Sequence, residues 1–516
     1  MPAGVVQYFT KGDYLLSLPM TLLTLFALGI LMIDLMLPEE WKVANAWTAL
    51  IGLGFSAAAV IKIHHAYYVS ELRGEHVLGY SGFMGSVMMD RFAIYFFYLF
   101  LAGAAVSVLM SAKYLEIERE QHGEFYALIL FSVVGMMCMA CGYDIVLIFI
   151  GLELMAISTY VLVGFLRTDR RSNEAALKYL LLGAFSSGIF AYGLSLLYGL
   201  TGSTNLQQIG ADLQRHMAAN PRDPVAILAL VTTATGLLFK VAAIPFHQWA
   251  PDAYEGAPTS VTGFMSVAVK AAAWAMLLRI FLWALYPMRP LYVPMLVFVS
   301  VATMTGANLA ALTQDNLKRL LAYSSIAHVG YMLLGLIAGN SQSANFTGIK
   351  GILVYLLVYT FMNLGAFAVI TSLRRRDVIG DEIEDIAGLF SRAPAETVLM
   401  LLFLLSLAGI PPLAGFWGKY FIFLSLIESG HYVLASVAVL YAVFGLYYYM
   451  RIASAMLMRP AADERPLRLS PGMVAALAIT GVATVVIGIF PETFLRMANW
   501  SLNVMQPSTP IAQLLR

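Results

Sequence analysis

The stretch Gly236–Trp249 reads GLLFKVAAIPFHQW and lies inside an apolar segment that begins near Val225. Lys240 is therefore expected at bilayer depth, where a lone lysine costs at least ~2.5–3.5 kcal/mol on insertion scales. Pro245 removes a backbone donor, so a helix must kink or break there. A broken membrane helix is tolerated only where protein or a water-filled cavity satisfies the freed backbone groups. Together with His247, these residues predict a hydrated polar site inside a membrane domain.

An alternative interpretation places Lys240 near a helix end, with its ammonium group extended to the membrane surface. The lysine lies 15 residues after Val225, well inside the apolar run, and this position favours the buried site. A buried site of this kind needs further polar groups within reach, and other apolar segments of the chain supply them.

The composition excludes an ordinary soluble protein. Of the 516 residues, 60% are hydrophobic and 12% are charged, whereas soluble domains carry about 25% charged residues. The net charge is only +1, so the chain lacks the overall positive charge that would attract nucleic acid, and no nucleic-acid partner is expected. The first apolar run, residues 14–37, is long enough to span a bilayer and is followed by no small-residue cleavage site. We therefore expect no cleavable signal peptide.

The apolar segments define the predicted fold class. Fourteen of them approach the length of about 20 residues that a transmembrane helix needs. Their approximate limits are 14–37, 44–63, 92–112, 125–142, 144–166, 177–200, 225–249, 259–285, 291–313, 319–339, 349–372, 397–427, 431–457 and 471–494. The prediction is an all-α polytopic membrane protein, with residues 1–516 in a single membrane domain.

Two groups of five spans look related. Each group has a proline-broken helix in fourth place, at Pro245 in the first and at Pro411 and Pro412 in the second. Lys240 precedes the first break and Lys419 follows the second. Because five is odd, the groups enter the membrane from opposite sides, which predicts an inverted repeat with its transport site at the broken helices. The predicted parts are a three-helix segment (1–124), two five-helix repeats (125–285 and 291–457) and a C-terminal helix and tail (471–516).

Lysine and arginine counts predict the orientation. One set of alternate loops holds 16 of these residues, and the other side, termini included, holds 10. The richer side is expected to be cytoplasmic, and an even number of spans then places both termini outside. In the outer loop at residues 201–224, Leu206, Ile209, Leu213 and Met217 recur at helical spacing. This pattern predicts a short helix along the membrane surface, serving as a brace.

Charged residues within the spans are the candidates for function. Glu153 lies inside span five, where a bare carboxylate would take up a proton or pair with a cation. Lys240 and Lys178 are the candidate partners, although Lys178 could equally extend to the surface from the start of span six. A glutamate near a lysine forms a switch, because separating the pair favours proton release from the lysine.

Three further residues extend the series. Lys270 lies about 12 residues into span eight, Lys419 lies in the second half of span twelve, and His328 lies inside span ten. A lone buried histidine is usually a satisfied core residue, but here it would be one member of a polar set. Intramembrane ionisable residues in a chain are the expected form of a proton relay.

Other polar residues have structural interpretations. Arg279 lies nearer the outer end of span eight, where we expect its side chain to extend to the membrane surface. Asp34, near the end of span one, is interpreted as an interface anchor. Asp252 and Glu255 lie in the sequence PDAYEGAP, which predicts a tight cytoplasmic turn between spans seven and eight.

Two further motifs are interpreted as packing features. Cys138 and Cys141 are the only cysteines, they share one face of an apolar helix, and no second ligand pair exists. They are predicted to be core residues, since this ligand count excludes an iron–sulfur cluster on the chain. Gly52, Gly54 and Ala57 match a dinucleotide-binding fingerprint loosely, but no strand precedes them. Close helix packing is the favoured interpretation.

Three motifs resemble those of a known family. They are LFKVAAIPFHQWAPDAYEGAP at 238–258, KRLLAYSSIAHVGY at 318–331 and SLAGIPPLAGFWGK at 406–419. Together they are similar to the antiporter-like subunits of respiratory complex I, across most of spans three to thirteen. Within that family the chain resembles the N type, because span twelve carries a lysine where the M type has glutamate. The chain also ends soon after span fourteen, whereas the L type continues into a long lateral helix.

The resemblance implies roles for named residues. Glu153 and Lys240 would be the pair on spans five and seven. Lys270 would be the central lysine of span eight, and Lys419 the terminal lysine for proton exit or transfer. The function implied is proton translocation across a bacterial plasma membrane, driven by quinone reduction elsewhere in the complex.

The resemblance also implies further site positions and partners. Lys178 and His328 match other positions of a polar axis, and His247 matches a motif residue whose role is not defined. NADH, FMN, iron–sulfur clusters and quinone are expected in other subunits, with no cofactor on this chain. The expected partners are neighbouring antiporter-like and small membrane subunits, together with the lipid bilayer.

Two alternative functions remain open at this point. A subunit of a multisubunit sodium/proton antiporter would share the broken helices, and sodium-dependent proton exchange without NADH oxidation would identify it. A stand-alone solute carrier is a different class of protein. The absence of a polar pocket motif in the sequence argues against the carrier.

Overall fold

The structure is a computed structural model that describes residues 11–74, 77–339, 346–375, 380–461, 465, 467 and 469–502. The α-helices of the first half are α1 (Lys11–Asp34), α2 (Ala44–Leu72), α3 (Arg91–Glu118), α4 (Gly123–Cys141), α5 (Ile145–Val163), α6 (Arg170–Thr201), α7 (Leu206–Ala219), α8 (Pro224–Val241), α9 (Trp249–Gly256), α10 (Thr259–Phe264) and α11 (Lys270–Arg279). Those of the second half are α12 (Arg289–Leu312), α13 (Leu317–Ala338), α14 (Thr347–Leu373), α15 (Leu389–Arg392), α16 (Pro394–Ala408), α17 (Ala414–Glu428), α18 (Tyr432–Met458), α19 (Pro471–Ile489) and α20 (Pro491–Leu502). A small antiparallel hairpin, β1 (Gly79–Gly82) and β2 (Val87–Asp90), precedes α3.

The predicted all-α polytopic fold is confirmed. Within the described residues, 13 helical segments are long and apolar enough to cross a membrane. The predicted twelfth span is two shorter helices, α16 and α17, on either side of its proline break. Span eight is a composite, because π-helical turns at Met265–Val269 and Ile280–Ala284 follow α10 and α11.

Side-chain caps determine where several helices begin. Asp90 accepts a hydrogen bond from the backbone of Ala93 at the start of α3, and Asp144 caps α5 in the same way. Asp223 caps α8 and is followed by Pro224, whose missing N–H needs no partner in a first helical turn. A hydrogen bond from His216 lowers the pKa of the Asp223 carboxyl, which favours the charged form at this helix terminus.

Buried helices form the centre of the molecule and are surrounded by helices with one exposed apolar face. Helices α10, α11, α13 and α14 are buried along almost their whole length. By contrast, α6, α18 and α19 expose large apolar side chains such as Phe185, Val443 and Val482. In a membrane protein such faces meet lipid or neighbouring subunits.

Corresponding helix pairs of the two predicted repeats pack closely through glycine. A Cβ on Gly135 of α4 would lie 2.6 Å from the carbonyl oxygen of Gly151 in α5. At the matching pair, a Cβ on Gly330 of α13 would lie 2.6 Å from the Met304 side chain of α12. Both groups also contain a broken helix in the predicted place. The repeat itself and its opposite insertion into the membrane both stay predictions.

The helix predicted in the loop at 201–224 exists, but it packs on protein. Leu206, Ile209 and Leu213 of α7 are fully buried. A Cβ on Gly210 would lie 2.3 Å from the carbonyl oxygen of Trp283, which places α7 against the second π-helical turn. The apolar face of α7 is thus satisfied within the chain, as a brace requires.

The prediction that Arg279 extends to the surface is wrong. Its side chain is 0% exposed and donates to both carboxylate oxygens of Asp90 at 2.6 and 2.7 Å. Its Nε also donates to the carbonyl of Ala140 at 3.0 Å. The hydrogen-bond donors of a buried guanidinium need such acceptors, and a bidentate carboxylate supplies two of them.

The remaining packing predictions concern α1, α2 and α4. Asp34 is buried and accepts a hydrogen bond of 2.5 Å from Asn45, with Lys42 at 3.7 Å, so it links α1 to α2. Gly52 packs closely, since a Cβ there would lie 2.7 Å from Phe26, whereas a Cβ on Gly54 would have no atom within 4 Å, so close packing is wrong for Gly54. Cys141 is fully buried.

Both chain termini, residues 1–10 and 503–516, lie outside the described residues, and with them the prediction of where the termini lie.

Candidate functional site

The first helix break lies where Pro245 predicts it. Helix α8 ends at Val241, Ala242 adopts a left-handed conformation with φ +63°, and α9 begins at Trp249. The backbone N–H of Ile244 donates to Thr303 Oγ1 at 3.0 Å, and Trp249 Nε1 donates to the Phe239 carbonyl at 2.9 Å. Protein side chains therefore satisfy backbone groups that the break would leave unpaired in lipid.

Lys240 lies in the last turn of α8 and is 6% exposed. Its Nζ is 5.8 and 5.7 Å from the ring centroids of Tyr160 and Tyr179, within cation–π range. Glu153 is close enough for its charge to act on Lys240. Among the described residues, however, no carboxylate oxygen approaches Lys240 within the 4.0 Å of an ion pair, so the Glu153–Lys240 pair is open in this structure.

Lys270 lies at the centre of the molecule and is 4% exposed. It follows the first π-helical turn directly. Its Nζ donates to the carbonyl of Ser325 at 3.1 Å and also to the Ser325 hydroxyl. Tyr254 and Tyr359 are neighbours of the same serine, and the Tyr359 hydroxyl makes no hydrogen bond to the described residues. Lys270 is thus held by neutral oxygens.

His328 continues the polar line in α13. Its Nδ1 hydrogen-bonds with the Tyr355 hydroxyl at 2.5 Å, and its Nε2 with the Tyr449 hydroxyl at 3.1 Å. The Tyr449 hydroxyl also hydrogen-bonds with Ser324 at 2.5 Å. The charges of Lys270 and Lys419 both act on this ring.

The second helix break holds Lys419. Helix α16 ends at Ala408, and Gly409 has φ +88°. Lys419, 7% exposed, donates to the carbonyls of Leu407 at 3.1 Å and Ala408 at 2.7 Å. These carbonyls end a half-helix, where a cation is stabilised by the helix dipole. Lys240 lies in the last turn of α8, so a buried lysine lies at each of the two breaks.

The structure brings the predicted site residues into one buried line, with aromatic side chains between them. Tyr179 neighbours both Lys240 and Tyr254. At the other end, the Tyr331 ring lies 5.4 Å from Lys419 Nζ. From one end, the line contains Glu153, Lys240, Tyr179, Tyr254 and Ser325, then Lys270 and Tyr359, which are both neighbours of Ser325, and finally His328, Tyr331 and Lys419.

Comparison with known proteins identifies the family. The family model described as NADH:quinone oxidoreductase/Mrp antiporter, TM matches residues 142–445. NADH-quinone oxidoreductase subunit N 1 of Koribacter versatilis is 68% identical over 494 residues, 96% of each chain. Subunit N 2 of Solibacter usitatus is 52% identical over 96% of this chain and 98% of that one. The chain belongs to the NADH-quinone oxidoreductase subunit N family.

Solved structures agree with the fold. A chain of respiratory complex I from Thermus thermophilus with bound Aureothin superposes with a TM-score of 0.74 at 32% identity, over 93% of this chain and 98% of that chain. A chain of the Mrp complex from Dietzia reaches a TM-score of 0.82 at 20% identity, over 98% of this chain and 100% of that chain. At that identity the second likeness shows the fold alone, so sequence is what separates subunit N from the antiporter subunits.

Two predicted site residues of this subunit N family member lie off the buried line. The Lys178 side chain is 46% exposed and pairs with Glu174 at 2.8 Å and Asp252 at 3.0 Å. His247 lies in the connection between α8 and α9 and is partly buried. Their family-derived roles stay predictions.

The prediction of a tight turn at Asp252 and Glu255 is wrong. Both residues lie on α9, and each pairs with Arg319 at 2.8 Å. The segment therefore forms the second half of the broken helix and is fastened to α13 by charge. Prolines at both ends of the segment favour a turn. Arg319, which pairs with both carboxylates, is far from this segment in sequence, so the sequence around the segment does not reveal the ion pairs.

Sequence reasoning missed the tyrosines of the line. Tyr355 and Tyr359 are four residues apart on α14, so they share a helix face, which is a signal the sequence carries. Tyrosine is common in membrane proteins, however, and the direction of a hydroxyl depends on packing. The residues missed are Tyr160, Tyr179, Tyr254, Tyr331, Tyr355, Tyr359 and Tyr449, together with Ser325.

Proposed function

We propose that this chain translocates protons across a bacterial plasma membrane as the N-type subunit of a complex that oxidises NADH and reduces quinone. The observation that carries the proposal is the buried line from Glu153 through Lys240 and Lys270 to Lys419. A neutral solute would not require three buried lysines, whereas chains of buried ionisable groups are the expected form of a proton relay.

The Glu153–Lys240 pair is the proposed switch. When the two side chains meet, each stabilises the charged form of the other, and when they separate the lysine releases its proton more readily. Moving a proton against 100 mV requires ~2.3 kcal/mol, and a change of two pKa units supplies about 2.7 kcal/mol. One rearrangement of the pair is therefore large enough to drive one step.

Lys270, His328 and Lys419 are the proposed continuation of the relay. His328 hydrogen-bonds on both ring nitrogens, so it can accept a proton on one and donate from the other. Lys419, at the second break, is the proposed exit or transfer group. Lys178 and His247 also belong to the proposed set, and Lys178 joins α6 to α9 through its ion pair with Asp252.

The proposed partners and cofactors lie outside this chain. Exposed apolar faces of α6 and α18 provide surfaces for neighbouring antiporter-like and small membrane subunits, or for lipid. NADH, FMN, the iron–sulfur clusters and quinone are proposed to bind other subunits. The proposed orientation places both termini on the outer side of the plasma membrane.

The test is replacement of Lys240 in the assembled complex. We expect Lys240→Met to abolish most proton pumping and to lower coupled quinone reduction, because the switch loses its titratable partner. Proton uptake into proteoliposomes and NADH:quinone activity are measured together. Lys113→Met is the matched control, since Lys113 is an exposed lysine paired within α3 to Glu116. Wild-type rates of both activities in Lys240→Met would overturn the assignment.

The second candidate is a subunit of a multisubunit sodium/proton antiporter. The likeness in fold to the Mrp complex favours it. Purification in mild detergent distinguishes the two candidate functions. If the first is correct, other chains and NADH oxidation activity should co-purify with this chain. Sodium-dependent proton exchange by the purified assembly, without NADH oxidation, would establish the second.

A further inference from the structure

A second buried charged cluster lies where α9, α10 and the beginning of α13 meet the segment that follows α14. Lys318 and Asp381 are 5% and 3% exposed. The Lys318 Nζ donates to the carbonyl of Ala257 at 3.1 Å. The Asp381 Oδ2 lies 3.6 Å from Lys318 Nζ and 3.9 Å from an Arg171 guanidinium nitrogen. These separations suit ion pairs but are too long for hydrogen bonds.

The cluster encloses a small polar cavity of about 20 Å³. Lys318, Arg171 and Asp381 line it, as does the α10 residue Thr259. A cavity needs at least roughly 10–15 Å³ and two to four polar partners to hold one water molecule. Asp381 Oδ2 accepts no hydrogen bond from the described residues. A water between it and the two cations would supply that bond at normal length. The other charged groups lining the cavity are Asp169, Glu255 and Arg374.

The cavity lies about two helical turns from the buried line. Lys318 and Ser325 are seven residues apart in α13, which is about two turns, so both lie on one face about 10 Å apart along the axis. Ser325 binds Lys270. On the opposite wall, Ala257 follows α9, whose Tyr254 also faces Ser325. Arg171, with a side chain 44% exposed, connects the cavity to the surface.

We propose that Asp381 and Lys318 hold an ordered water and form the site at which protons are taken up for Lys270. A hydronium ion at the surface gives its proton to the Asp381 carboxylate and becomes water. The carboxylic acid passes the proton through the ordered water toward neutral Lys270, which becomes a lysinium ion, and Asp381 returns to the carboxylate. Lys318 keeps its proton and favours that return. This inference rests on the proposed proton translocation.

The test uses variants in the assembled complex reconstituted in proteoliposomes. We expect Asp381→Asn to lower the pumping rate roughly tenfold or more, because a general acid–base group is lost, while Asp381→Glu retains most of it. Glu384→Gln is the matched control in the same segment, with a side chain 76% exposed. The double variant Lys318→Met/Asp381→Asn distinguishes uptake from packing. If the pair only neutralised buried charge, removing both charges would restore function relative to the single variant.

Recovered pumping in the double variant, or wild-type pumping in Asp381→Asn, would overturn the inference. Loss of pumping in Lys240→Met alongside normal pumping in Asp381→Asn would leave the proposed function standing and reject this uptake site. A high-resolution map of the wild-type complex gives a reading that does not depend on any variant. We expect a water within hydrogen-bond distance of both Asp381 and Lys318, and protein atoms filling that space would reject the proposal.

Discussion

The buried cationic side chains of this protein have two kinds of hydrogen-bond partner, a carboxylate or neutral oxygens. Arg279 is matched by the full charge of Asp90 through two hydrogen bonds. Lys270 and Lys419 are instead bound by neutral serine and backbone oxygens. Among the described residues neither lysine has a carboxylate within 4.0 Å. A lysine held by neutral oxygens can release its proton without breaking an ion pair, whereas Arg279 remains charged and serves structure.

The Arg279–Asp90 pair leads to a prediction about stability. Arg279→Met would leave the Asp90 carboxylate buried and uncompensated, which costs about 3–5 kcal/mol. We expect a lower thermal unfolding temperature of the purified complex and less assembled complex on native gels. The double variant Asp90→Asn/Arg279→Met should recover much of this loss, because asparagine still caps α3. A single variant as stable as the wild type would contradict the structural role.

At the scale of elements, the two helix breaks share one design. In each, a half-helix ends at a residue with positive φ, Ala242 in the first and Gly409 in the second. A buried lysine lies at each break, Lys240 within the last turn of α8 and Lys419 against the last carbonyls of α16. Positive φ costs strain for alanine but not for glycine. Glycine at 409 therefore avoids backbone strain at the break that also contacts Lys419.

Gly409 leads to a prediction with a matched control. An alanine Cβ there would lie 2.9 Å from Lys419 Cδ, and the φ of +88° adds roughly 1–2 kcal/mol of strain. Gly430 has φ +78° and no atom within 4 Å of such a Cβ. Gly409→Ala and Gly430→Ala should therefore lose similar stability, but only Gly409→Ala should lower proton pumping by displacing Lys419. Equal pumping in the two variants, measured in proteoliposomes, would show that the contact is unimportant.

The elements that the sequence predicted are those with local signals. Pro245, Pro411 and Pro412 mark both breaks because proline acts on its own helix. Arg279 was misjudged because its partner Asp90 is 189 residues away in the chain. The sequence around α9 predicts a turn because Arg319, which pairs with its carboxylates, belongs to another helix. The lysines and His328 can be predicted because a titratable residue inside a long apolar segment is unusual. The tyrosines between them cannot, because tyrosine is common in such segments and only packing determines where its hydroxyl lies.

At the scale of the whole molecule, the Lys and Arg distribution predicts which end faces the cytoplasm. Arg215 on α7 belongs to the predicted outer side, and its side chain is 80% exposed. Glu384 lies on the predicted inner side and is 76% exposed. We expect Arg215→Cys to react with a membrane-impermeant maleimide in intact cells, and Glu384→Cys to react only after permeabilisation. The parent protein, with Cys138 and Cys141 inside α4, provides the background, and the reverse labelling pattern would invert the topology.

The central claim is that the buried line carries protons, and Lys270 is its midpoint. The most direct measurement is the number of protons pumped per NADH oxidised by proteoliposomes containing the complex with Lys270→Met. Lys270→Arg is the comparison, because arginine keeps the positive charge but does not readily release its proton. We expect both variants to assemble and both to pump far fewer protons per NADH than the wild type. Wild-type proton yields from assembled Lys270→Met complex would contradict the central claim.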